Sequence, residues 1–181
     1  LINDTGTVKI SFNDFIIKAC AAALKHHPAV NASWLGDKIR YNKDINIGVA
    51  VAVDEGLLVP VLFGTDRMGL AEINDQVGQL EDKARQKKLQ PQEMQGNTFT
   101  VSNLGMFGID EFTAIINPPD SAILAIGTIA DELSLVDGKV VATKIMKVTM
   151  SCDHRVIDGA TGAKFLQTFK QLLENPVAML V

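Results

Sequence analysis

One of the chain's three histidines stands in a pattern able to do chemistry: Asp153-His154-Arg155-Val156-Ile157-Asp158-Gly159-Ala160. Proton transfer at neutral pH needs a base poised near pH 7, and imidazole meets that need without perturbation. His154 falls between an apolar, strand-like run and a helix start, where loops held by a scaffold collect functional side chains. Asp158 can cap that helix or pair with a charge, Arg155 offering a local partner, and either would fix the shape of the loop. A second candidate is Ser102, which with Asn103 ends a strand-like run just before Gly105. Ser, Asn and Gly are ordinary turn residues there, and the alternative is a hydroxyl donor aimed at an oxyanion. Cys152 precedes His154 by two positions. In a continued strand the two would share a face about 6.5–7 Å apart, too far for a direct hydrogen bond, so the thiol reads as a small buried hydrophobe.

The elements that must position these groups follow from periodicity. Ser11–His27 is a helix, with Phe12, Phe15, Ile16, Ala19, Ala22 and Ala23 on one stripe, Ser11 as N-cap and Pro28 as the stop. Strand-like stretches at Asp44–Val53 and Leu57–Phe63 flank Asp54-Glu55-Gly56, either as a hairpin or as a strand kinked at Gly56. A second helix spans about Leu70 to Lys88. Thr98–Ser102, Ser121–Ile126 and Lys139–Cys152 read as strands, with a turn at Asp137-Gly138 after Leu133–Val136. Gly159–Glu174 is a closing helix ended by Pro176. Helices alternating with strands, some joined by tight turns, give an α/β two-layer sandwich with a mixed β-sheet.

Composition narrows the function classes. The chain has 181 residues, 47% hydrophobic and 21% charged, as in a folded globular domain rather than a disordered one. A net charge of -4 argues against a nucleic-acid partner, which needs a basic face. The densest basic stretch, Lys83–Lys88, reads as the solvated end of the second helix. The two cysteines, Cys20 and Cys152, have neither metal-ligand nor disulfide-framework spacing, which fits a reducing compartment and leaves no metal site indicated. No apolar run reaches the length that spans a bilayer, so no membrane partner is expected; Lys18 interrupts the most hydrophobic helix. The opening on Leu1 suggests a piece of something longer.

With these residues in view, the chain resembles the catalytic (E2) domain of the dihydrolipoamide acyltransferases of 2-oxo-acid dehydrogenase complexes. The likeness rests on Ser151–Ala160, on Gly96–Gly105, and on Asn117-Pro118-Pro119 running into Ala122-Ile123-Leu124. Gly105-Met106-Phe107-Gly108-Ile109, Phe112 and Ile115–Pro119 look most like the acetyltransferases of pyruvate dehydrogenase. The resemblance covers essentially the whole chain and implies a chloramphenicol acetyltransferase-like fold. It implies one catalytic domain over residues 1–181, short of its N-terminal part, with the lipoyl and subunit-binding domains elsewhere.

By the same resemblance His154 is the general base that takes a thiol proton, Ser102 donates to the oxyanion, and Asp158 holds the His154 loop. Asp54, Phe112 and Leu124 line the coenzyme A end of the site. The substrates implied are coenzyme A and a lipoyl group carried on a separate domain. Asp82-Lys83-Ala84 resembles a lipoyl-bearing turn, but it sits in a 3.6-residue period where a hairpin tip is needed. The implied partners are two further copies in a homotrimer whose His154 and Ser102 meet across subunits, a cage of about 24 or 60 copies docked through the tail Val177–Val181, lipoyl domains, and the E1 and E3 components. The implied location is the bacterial cytoplasm or the mitochondrial matrix. An O-acetyltransferase of the chloramphenicol type and a non-catalytic core scaffold are the competing readings.

Overall fold

The computed structural model describes residues 9–179. Leu180 and Val181, the end of the expected docking tail, lie outside them; Pro176–Met179 form a short 3-10 turn whose Met179 is buried.

Helix α1 (Phe12–His26) begins where the sequence signals it. The Ser11 hydroxyl accepts from the Asp14 N–H at 3.2 Å, and Asp14 Oδ2 accepts from the Ser11 N–H at 2.7 Å. This reciprocal pair satisfies two of the donors left open at a helix start. Ala19, Cys20 and Ala23 show no surface, and such small side chains let α2 (Leu70–Arg85) and α3 (Gly159–Glu174) approach α1 closely. Lys18, the charge within the apolar helix, donates to the carbonyls of Asp66 and Met68 at 2.9 and 2.7 Å. Those acceptors come from the 3-10 turn Thr65–Arg67 and the residue after it, so the buried ammonium is satisfied rather than orphaned.

Helix α2 ends at Arg85, short of the expected Lys88. Lys87 takes the left-handed conformation (φ 57°), its N–H donates to the Ala84 carbonyl, and the Lys88 N–H reaches the Lys83 carbonyl at 2.8 Å. These are the two bonds of a Schellman ending, here built with lysine where glycine is usual.

The strands are β1 (Ala32–Trp34), β2 (Ile39–Tyr41), β3 (Ile47–Val49), β4 (Val51–Val53), β5 (Gly56–Leu58), β6 (Val61–Leu62), β7 (Phe99–Asn103), β8 (Ala122–Val136) and β9 (Lys139–Cys152). The sheet is mixed, as expected: its order is β6-β3-β7-β8-β9, with β3, β7 and β8 parallel and both outer strands antiparallel to their neighbours. Asp44–Val53 and Leu57–Phe63 do fold back on each other. The first breaks at Ala50, whose N–H turns to the Val101 carbonyl, so the hairpin falls into β3–β6 and β4–β5 pairs. The β1–β2 hairpin was not expected. Ser121–Ile126 and Leu133–Val136 prove to be one strand, irregular between Ile126 and Ile129 and ending at the Asp137-Gly138 turn, where both residues have positive φ.

Alternation divides the sheet into two faces. Phe99, Val101, Leu124 and Ile126 join Ile16 and Ile17 of α1, Ile73 of α2 and Phe165 of α3 in the core. The opposite face carries Thr100, Ser102, Ile123 and Ala125, and the segment 104–120 crosses part of it. The Thr128 N–H donates to the Ile109 carbonyl at 2.7 Å, and the Ser151 hydroxyl to the Ala114 carbonyl at 2.7 Å. At the crossing a Cβ on Gly127 would stand 1.8 Å from the Asp110 carbonyl oxygen, so only glycine fits there. No helix among the described residues is long and apolar enough to cross a membrane.

Candidate active site

The His154 turn is built from three anchors. The Asp153 N–H donates to the Ser121 carbonyl at 2.8 Å, hanging the turn from the start of β8. The Asp153 carbonyl then accepts from the N–H groups of Val156 and Ile157, both at 2.9 Å, closing the turn. The Asp153 carboxylate grips Arg155 through Nε at 2.9 Å and a terminal nitrogen at 2.6 Å, and the Arg155 guanidinium lies 5.1 Å from the centre of the Trp34 ring. Hydrogen bonding to Arg155 holds the Asp153 carboxyl below the ordinary range. Arg155 therefore serves Asp153 and not Asp158, as had been open from the sequence.

Asp158 is the N-cap of α3: its Oδ1 accepts from the Thr161 N–H at 2.7 Å. That bond holds its carboxyl below the usual value, with a smaller contribution from nearby His154. Of the two readings of Asp158, the cap is the one realised, and no ion pair to it occurs among the described residues. His154 is exposed and has no hydrogen-bond partner among them. It lines a cavity of about 320 Å³ with Met150, Cys152, Ile157 and Asp158. Cys152 is half-buried rather than sealed in the core, and burial pushes its thiol up; a thiol so shifted is a poor nucleophile.

Ser102 lies near the end of β7, 9% exposed, paired with Ala125, which pairs in turn with Thr149 of β9. His154 is two strands across and five residues further along. Strand spacings put the two residues on the order of 19 Å apart. Within one chain they do not meet.

The other expected site residues are scattered. Asp54, at the β4–β5 turn, lines a groove of about 690 Å³ with Leu57, Arg85, Lys87 and Met94. Lys87 also pairs with Glu55 at its rim. Phe112 is half-buried on the crossing segment and is not part of that groove. Leu124 contradicts its expected role. It is 0% exposed in the core between sheet and helices, because its parity on β8 matches Ala122 and Ile126, so its side chain lines no ligand cavity.

Sequence reasoning missed a buried polar cluster beside these residues. Asp120, 5% exposed, accepts from Thr100 Oγ1 at 2.6 Å and from Asn97 Nδ2 at 2.7 Å, while its Oδ1 and the neighbouring Ser121 hydroxyl are closed from solvent without partners among the described residues. The available signal was the alternation of Thr98, Thr100 and Ser102 with Phe99 and Val101, which gives β7 one polar face. Burial raises the Asp120 carboxyl from 3.8 to about 6, against the opposing effect of the two hydrogen bonds. A carboxyl with a folded value above its unfolded one favours folding in its protonated form. Stability from this group is therefore full below about pH 4, declines as pH rises, and is lost above about pH 6. Asp120→Asn removes the charge and keeps the shape. It should be more stable than wild type by up to about 3 kcal/mol at pH 7.5, the gap closing toward pH 4. Denaturant titrations at the two pH values check this.

Residues 2–181 match the family of 2-oxoacid dehydrogenases acyltransferase (catalytic domain). The chain is 49% identical over 99% of its length to a mitochondrial dihydrolipoyllysine-residue acetyltransferase component of pyruvate dehydrogenase complex from Dictyostelium discoideum, spanning 29% of that protein. It overlays the cubic core of a pyruvate dehydrogenase multienzyme complex with a TM-score of 0.92 at 36% identity, covering 99% of this chain and 75% of that one. The same values hold for the Azotobacter vinelandii dihydrolipoamide acetyltransferase, in which the catalytic roles of a serine, a histidine and an asparagine have been investigated. A chloramphenicol acetyltransferase shares the fold at a TM-score of 0.58 and 15% identity. Sequence match and fold agree: the chain belongs to the catalytic-domain family of the 2-oxoacid dehydrogenase acyltransferases.

Proposed function

We propose that the chain transfers an acetyl group between dihydrolipoamide and coenzyme A as the core of a pyruvate dehydrogenase complex. The observation that carries this reading is the placement of Ser102 and His154. The serine and histidine studied in the Azotobacter enzyme stand 52 positions apart, and its histidine and asparagine four. Ser102 and His154 are likewise 52 apart, and His154 and Asp158 four, with aspartate here in place of asparagine.

His154 takes the proton of the coenzyme A thiol; a free imidazole and a free thiol lie only about two pH units apart, so the transfer is feasible. The thiolate attacks the thioester carbonyl of acetyl-dihydrolipoamide. The carbonyl carbon becomes tetrahedral, Ser102 donates its hydroxyl to the oxyanion, and collapse expels the dihydrolipoamide thiolate, which recovers the proton from His154. Asp158 fixes the helix start against which the turn is set.

Because one chain's Ser102 and His154 stand too far apart to flank a common carbonyl, the site takes them from neighbouring copies. An uncovered apolar groove supports that assembly. It measures about 860 Å³ between β9 and α3, lined by Phe12, Met146, Val148, Leu166 and Phe169. The exposed Leu133, Leu135 and Val140 share one face of the β8–β9 ribbon beyond it. Such surface calls for a partner, and further copies in a trimer, itself built into a core cage, would bury it. Arg85 and Lys87 beside Asp54 supply cations for a phosphate-bearing substrate such as coenzyme A. The lipoyl group would arrive on a separate domain. Steady-state transfer from acetyl-, succinyl- and isobutyryl-coenzyme A to dihydrolipoamide tests the proposal. Acetyl should give the highest kcat/KM, and a higher value with another acyl group, or transfer to chloramphenicol instead, would overturn it.

A further inference from the structure

Asp120 belongs to none of the steps above, yet it touches the supports of Ser102 and of His154, the two groups this chain would give to two different shared sites. On one side its carboxylate receives the Thr100 hydroxyl and the Asn97 amide. Thr100 precedes Ser102 by two residues on the same face of β7. On the other side Asp120 leads directly into Ser121, whose carbonyl holds the Asp153 N–H immediately before His154. The cluster is closely packed: a Cβ on Gly48 of the adjoining β3 would stand 2.8 Å from Val59 Cγ1, 3.2 Å from Thr100 Oγ1 and 3.3 Å from Asn97 Cβ. Among the described residues the groups facing the carboxyl, Thr100 and Asn97, are neutral. A buried carboxylate in such surroundings is costly to keep, and an apolar residue would escape that cost only by leaving the buried Asn97 and Thr100 donors unpaired.

We infer that Asp120 is a positioning residue for acyl transfer, tying β7 beneath Ser102 to the start of β8 from which the His154 turn hangs. The inference rests on the acyltransferase reading above. Without the carboxylate, the Asn97 and Thr100 donors lose their shared acceptor, and the residues leading into β8 lose a side-chain tie to β7 that supplements the backbone pairing. Small displacements of reacting groups cost rate far more than they cost substrate binding.

The experiment compares Asp120→Ala, Asp120→Asn, Thr100→Val and His154→Ala in the assembled protein, measuring kcat, the KM for coenzyme A and the thermal midpoint. Asp120→Ala should lose on the order of tenfold to a hundredfold in kcat with the coenzyme A KM little changed. Asp120→Asn, which keeps an acceptor for both donors, should recover most of that loss. Thr100→Val deletes one of the two bonds with little change of shape. It should show a smaller kcat loss of the same kind, and it serves alone if Asp120→Ala does not fold. Normal turnover in both Asp120→Ala and Thr100→Val, or an Asp120→Asn as impaired as Asp120→Ala, would overturn the inference. If His154→Ala is inactive while Asp120→Ala is not, only the role of Asp120 falls. If His154→Ala keeps its turnover, the acyl-transfer reading itself falls, and the inference with it.

Discussion

Replacing His154 with alanine should lower kcat for acetyl transfer to dihydrolipoamide by two or more orders of magnitude, the usual contribution of a positioned general base. The fold should not notice. The imidazole is exposed and unbonded among the described residues, and the turn that carries it is held by Ser121, by the Asp153 carbonyl and by the Asp153–Arg155 pair, none of which involves its ring. Particle size by light scattering and the thermal midpoint should therefore match wild type while turnover collapses. That separation is the informative part of the result, since a variant that lost both would say only that the turn was damaged. A His154→Ala protein with near-normal turnover would remove this residue from the chemistry.

Much of this framework was legible because its signals are local. Ser11 before Phe12, Asp158 before Gly159, and Asp137-Gly138 each act on backbone groups within three residues, so helix starts and the tight turn could be read directly. The end of α2 was misread because lysine accepted the left-handed position that normally identifies itself by glycine. The unity of β8 was hidden by the irregularity at Gly127, where the close approach of the Asp110 carbonyl imposes glycine and interrupts the alternation. The short β1–β2 hairpin gave no period, being three residues a side, and its importance lies in a contact remote in sequence, Trp34 beneath Arg155.

The site divides in the same way. His154 and Asp158 stand out as candidates by neighbours a few positions off, whereas Ser102 by itself reads as turn chemistry and enters as an oxyanion donor only through the family resemblance. Asp120 does not stand out in either way, because what makes it unusual is burial and two donors reaching it from another strand. Leu124 shows the opposite error. A matched position suggested a ligand contact, whereas two-residue periodicity with Ala122 and Ile126 already pointed its side chain into the core.

Ser102→Ala should cost about a hundredfold or more in kcat, as expected for loss of one oxyanion donor, with little change in the KM for coenzyme A. The hydroxyl is needed where negative charge develops, and the ground-state substrate gains little from it. A variant defective only in binding would contradict that role. The arrangement of the strands permits a sharper test. Since Ser102 and His154 of one chain are separated by two strands and five residues, the proposed mechanism requires a serine and a histidine from different copies. Ser102→Ala and His154→Ala proteins, each nearly inactive, should complement when unfolded together and reassembled. In a random equal mixture about a quarter of the shared sites would receive both wild-type residues. Activity should thus return to about that fraction of wild type. Were the site contained within one chain, every site in the mixture would lack one residue or the other, and the reassembled protein would stay as inactive as its parents.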